Sequence, residues 1–192
     1  MYYQTMEKLG YEKRDLLVER VDEAREAQQD AREQFESALE QFIAVTKYDG
    51  GELQRQYQKL KDEYQESEDK AEAVRGRIAA VEQVADDLFE EWAAELDEYS
   101  NASLRSKSKR QLDDTRRRYR QLIGTMKRAE KKLDPVLAAF KDQVLFLKHN
   151  LNAQAIASLK SDLKVVESDI AALIREMNAS IAEAERFIQA MS

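Results

Sequence analysis

The sequence predicts an all-α fold, an elongated antiparallel helical bundle or coiled coil of about four long helices. Three observations predict it. Apolar side chains recur at alternating spacings of four and three along most of the chain, the a/d pattern of packed helices. Glycine and proline are scarce, 5 and 1 among 192 residues, whereas sandwiches, barrels and doubly wound sheets need a turn residue every 8–12 positions or so. Charged side chains make up 36% of the chain, the composition of long, solvated helices.

Each helix has its own seam. The first reads Leu17, Val21, Ala24, Gln28, Ala31, Phe35, Ala38, Phe42, Val45. The second runs Leu53, Tyr57, Leu60, Tyr64, Ser67, Ala71, Val74, Ile78, Val81, Ala85, Leu88, Trp92 without a slip. The third is Leu112, Thr115, Tyr119, Leu122, Met126, Ala129, Leu133, Val136, Phe140, then Val144 and Leu147 after a slip of one residue. The fourth is Ile156, Leu159, Leu163, Val166, Ile170, Leu173, Met177, Ile181, Ala184, Ile188, Met191. No useful stretch alternates with period two, so no strand is expected.

Breaks in the pattern carry turn chemistry. Asp49-Gly50-Gly51 can supply a positive φ and end a helix. Ser100-Asn101-Ala102-Ser103 offers N-cap residues. His149-Asn150-Leu151-Asn152 is weaker, because Asn caps helices but does not enforce a stop. These breaks predict helices near 2–47, 52–98, 103–148 and 153–190 within a single elongated domain, residues 1–192. Asp134-Pro135 offers an alternative, a kink or a helix start, which would divide the last two helices as 103–133 and 135–191. Short turns between helices of similar length are what an up-down-up-down bundle requires.

Charge supports the fold-back. Residues 1–100 hold 13 basic and 27 acidic side chains, and residues 101–134 hold 12 basic and 4 acidic. Residues 82–98 carry eight acids and no base, and Arg105, Lys107, Lys109, Arg110, Arg116, Arg117, Arg118 and Arg120 follow the Ser100 turn. A hairpin closing at 99–103 lays the two stretches side by side. Each exposed pair contributes only about 0.2–1 kcal/mol, so these charges set orientation while the apolar seams stabilise.

Zero Cys removes disulfides, thiol catalysis and zinc ribbons, and one His leaves no room for a His-based metal site. No glycine stands in a phosphate-binding loop. Glu90-Glu91 and Asp113-Asp114 are adjacent on a helix and point apart, and no Glu-x-x-His motif accompanies them. His149 reads as a surface turn residue. Tyr57, Tyr64, Trp92, Tyr99 and Tyr119 and the small residues Ala24, Ala31, Ala38, Ser67, Ala71 and Ala85 read as internal packing. The longest uncharged run, residues 149–159, falls short of the ~20 apolar residues that a membrane span needs. No catalytic residue, cofactor, metal or small-molecule substrate is expected, and the chain is read as no enzyme.

The one candidate interaction surface is Arg116, Arg117, Arg118 and Arg120. Clustered arginines suit nucleic acid, but a net charge of −7 and a pI near 5.0 favour pairing with residues 82–98. Nucleic acid is therefore the weaker reading.

Several strings are distinctive: Met6-Glu7-Lys8-Leu9-Gly10 with Lys13-Arg14-Asp15, Asp49-Gly50-Gly51 before Leu53, and Tyr99-Ser100-Asn101-Ala102-Ser103-Leu104. The most distinctive is Asp142-Gln143-Val144-Leu145-Phe146-Leu147-Lys148-His149-Asn150-Leu151-Asn152-Ala153. Together they resemble an uncharacterised bacterial family, the domain of unknown function DUF2959, over essentially the whole chain. The resemblance implies no reaction or site residue. It implies a lipoprotein-type leader with a lipid-bearing Cys before the Tyr2-Tyr3 region, which this chain lacks, and a tether on the periplasmic face of an envelope membrane. The expected role is a non-enzymatic spacer or scaffold with protein partners, a homodimer among the options, and membrane attachment only through that leader. The alternatives are a cytoplasmic adaptor or nucleic-acid-associated coiled coil using the basic 105–132 face, and a peripheral helical dimer on a membrane surface.

Overall fold

The structure, a computed structural model, describes residues 2–48 and 51–192, with residues 2–11 described by their backbone alone. Four helices follow one another: α1 (Tyr2–Thr46), α2 (Leu53–Glu95), α3 (Ala102–His149) and α4 (Ala153–Met191). They contain 45, 43, 48 and 39 residues, so the longest spans roughly 72 Å at 1.5 Å per residue. α1 packs on α2 and α4, and α3 packs on the same two, while the backbones of diagonal helices stay more than 8 Å apart. The result is an antiparallel four-helix bundle, as the seams predict.

The core lies along the bundle axis and is made of the seam positions. In α1 all nine are buried, from Leu17 to Val45, and α2 is buried from Ala71 through Leu88 on its seam. Phe42 of α1 and Phe140 of α3 meet edge to face across the centre, with ring centroids 5.9 Å apart. Fully burying a Phe, Leu or Val contributes about 1.5–3 kcal/mol. An exposed ion pair contributes only about 0.2–1 kcal/mol. The apolar seams therefore hold the bundle together. The small residues Ala24, Ala31, Ala38, Ser67, Ala71 and Ala85 are all buried, which lets α1 and α2 approach closely.

Polar groups fix which turn lies beside which. Buried Gln34 of α1 donates through Nε2 to the Glu63 carboxylate at 2.8 Å, and the Ser37 hydroxyl donates to the same carboxylate at 3.2 Å. One seam residue breaks the pattern: Gln28 is fully buried, and neither its amide oxygen nor its amide nitrogen has a partner among the described residues.

The helix ends differ from expectation in detail. α2 stops at Glu95 and tightens into a 3₁₀ turn, Leu96–Glu98, before Tyr99 becomes extended, which leaves its ring exposed rather than packed internally as expected. Its last turn has no basic residue, and carboxylates at a helix C-terminus oppose the helix dipole. α3 is capped by Asn101, whose side chain accepts from the Ser103 and Leu104 amides at 2.9 and 3.1 Å. The Asn turn is a true break. The Asn150 side chain donates to the Phe146 carbonyl at 3.0 Å, and the Asn152 side chain accepts from the Ala155 amide at 3.0 Å. Pro135 lies inside α3, so it starts no helix, and the alternative division is not adopted. Val136 and Leu137 are both buried just past it, which is how α3 absorbs the slip of its seam. Of the positive-φ stop expected at Asp49-Gly50-Gly51, Asp49 and Gly50 lie outside the described residues, and Gly51 has no positive φ.

Candidate interaction surface

The basic run sits on α3, about four to five turns from its start, beyond a hairpin that is closed by specific bonds. The Trp92 indole N–H donates to the Ser108 hydroxyl at 2.8 Å, and Arg105 pairs with Asp97 at 2.9 Å. Farther along, Lys127 pairs with Glu82 at 3.0 Å. Acids at the C-terminal end of α2 and bases near the N-terminus of α3 each oppose their own helix dipole. Their pairing across the turn offsets part of that cost.

Helical geometry then divides the run. Positions 116 and 120 share one face, because residues four apart are neighbours on a helix. Arg116 turns toward α2, where it donates to the Phe89 carbonyl at 3.2 Å and lays its guanidinium 5.6 Å from the Phe89 ring centre. Phe89 in turn packs on Tyr119, with centroids 5.4 Å apart. Arg116, Tyr119 and Arg120 line a groove of about 380 Å³ with Asp86, Phe89 and Glu90. Burial pushes the Tyr119 phenol up to about 12, helped by the nearby carboxylates of Asp86 and Glu82.

Arg117 and Arg118 face the other way. Arg117 pairs with Asp114 of its own helix at 2.6 Å. Both line a second groove, of about 330 Å³, against Glu183, Arg186 and Phe187 of α4. Glu183 is buried there and pairs with Arg186. The structure thus separates the four arginines into two pairs on different faces, each with carboxylates beside it. Of the pairing expected with residues 82–98, Arg116 reaches that stretch through the Phe89 carbonyl and ring rather than a carboxylate. Glu91, within that stretch, pairs instead with Lys13 of α1. Beside it Glu95 has its carboxyl raised, first by burial and then by Glu91 and Glu98.

Elsewhere, His149 is exposed at the end of α3, and among the described residues no group of three His, Asp or Glu side chains is placed to hold a metal ion. No described helix is long and apolar enough to cross a membrane. Sequence reasoning missed the outward face of the α3 end, where Leu145 and Phe146 are exposed although their neighbours Val144 and Leu147 are buried. The signal was four consecutive apolar residues, wider than one helical seam.

Fold and surface together define an all-α, four-helix bundle protein with a filled axial core and charged grooves on its faces. The chain belongs to the DUF2959 family, described as a protein of unknown function, which matches residues 2–191. No curated protein matches the chain.

Proposed function

We propose that this protein is a non-enzymatic spacer or interaction scaffold of the cell envelope, tethered to a membrane at the α1 end. The observation that carries this reading is the continuous core. Side chains from all four helices fill the axis, and the grooves lie on the faces, lined by charged side chains of both signs. A filled bundle of roughly 72 Å gives a rigid length and a long surface, which suits holding partners apart or together. The envelope placement draws on the leader that the resemblance to the DUF2959 family implies.

The test is to express the gene from its own locus, feed the cells a labelled fatty acid and fractionate them. The reading expects a labelled protein in the membrane fraction, accessible from the periplasm. An unlabelled protein in the cytoplasmic fraction contradicts the tether.

A further inference from the structure

At the end of the bundle where α1 joins α2 and α3 joins α4, apolar side chains stand unpartnered. Leu145, Phe146 and Leu151 are 49%, 40% and 37% exposed. Leu151 also edges a groove of about 500 Å³ between the two connections, with Tyr48, Leu53, Ile156 and Lys160 around it. On the α3–α4 connection the charge is one-sided, whereas the sequence of the neighbouring α1–α2 connection mixes Lys47, Asp49, Glu52 and Arg55. Between Asp142 and Asp162 the sequence contains Lys148, Lys160 and His149 and no acid. At the opposite end, exposed Tyr99 and Leu104 stand beside Asp97 and Glu98.

We propose that the α3–α4 tip docks on an anionic phospholipid surface, with Leu145, Phe146 and Leu151 entering the headgroup boundary and Lys148 and Lys160 meeting lipid phosphates. Aromatic and aliphatic side chains flanked by lysines, with no carboxylate among them, match such a surface in both polarity and charge. A partner helix would need an apolar stripe continuing along i, i+3, i+4 and i+7. Here the patch ends at Asp142 on one side and Asp162 on the other. Three exposed side chains also fall well short of the roughly 800 Å² per partner of a stable protein interface. The inference does not require the proposed tether, since it concerns the other end of the rod and uses the unlipidated chain.

The test is co-sedimentation of the purified chain with vesicles of phosphatidylcholine alone or mixed with phosphatidylglycerol. The mixed vesicles are expected to retain the protein, with binding at least about tenfold weaker to neutral vesicles and weakened by salt. Leu145→Ser with Phe146→Ser, and separately Lys148→Glu with Lys160→Glu, should each lower binding at least about tenfold. Leu104→Ser at the far tip should leave it unchanged. These positions are exposed, and circular dichroism checks that each variant folds. Phe146→Trp supplies a local reporter whose emission should shift to the blue on anionic vesicles. Three results overturn the proposal: no binding to anionic vesicles, equal binding by the tip variants, or self-association that the tip variants abolish.

Discussion

Trp92 and Ser108 join α2 to α3 by a 2.8 Å hydrogen bond from the indole N–H to the hydroxyl. The bond closes the charged hairpin on its inner side, where the Ser108 side chain is buried. Ser108→Ala leaves the indole donor without that partner, and an unmade buried bond costs about 1–3 kcal/mol. Urea unfolding should show a loss in that range, with Trp92 emission reporting the altered site. An unchanged midpoint would mean that the bond contributes nothing.

Gln28 is the converse case. It sits on the α1 seam, fully buried, and both polar atoms of its amide lack partners. An unpaired buried amide costs about 1–3 kcal/mol, so Gln28→Leu should stabilise the bundle by an amount of that order. A polar residue at a core position also restricts the register, so the variant should be more stable but less uniquely packed, with broader amide resonances. A loss of stability would contradict the account.

Tyr119 links structure to alkaline pH. Its phenol is held up to about 12 against an ordinary 10.0, mainly by burial. Folding therefore favours the protonated phenol, so this contribution is intact below the ordinary value. It is lost as pH rises through the raised one. Phenolate absorbance should show one tyrosine ionising late, and Tyr119→Phe should remove it and flatten the fall in stability over that window. A Tyr119 that titrates with the exposed tyrosines would show that the Phe89 groove does not shield it.

Much of this fold was legible in the sequence because a seam residue is placed by its own helix. Leu17 through Val45 are buried where the four-three spacing puts them, and the weakest expected turn, at Asn150 and Asn152, is real because both side chains bond to the adjoining backbone. What depends on the other helices was not legible. Nothing in the local sequence tells Arg116 to reach Phe89 while Arg117 bonds back to Asp114, since that follows from where the α2 and α4 faces fall around α3. Pro135 left an alternative open for the opposite reason. Proline disfavours a helix interior by about 3 kcal/mol, but the packing of Val136, Leu137 and Phe140 outweighs that local preference. The exposed Leu145 and Phe146 lie between the seam residues Val144 and Leu147, where the apolar run masks an outward face.

The central claim is that the chain folds back three times, so that the α1–α2 and α3–α4 connections lie at one end. The sequence has no cysteine, so Lys47→Cys and His149→Cys, both at exposed positions, can be spin-labelled cleanly. Pulsed electron resonance on that double variant should give a single narrow separation of roughly 15–30 Å within one chain, well under a helix length. A separation of about 70 Å or more, as two end-to-end hairpins would give, contradicts the four-helix bundle.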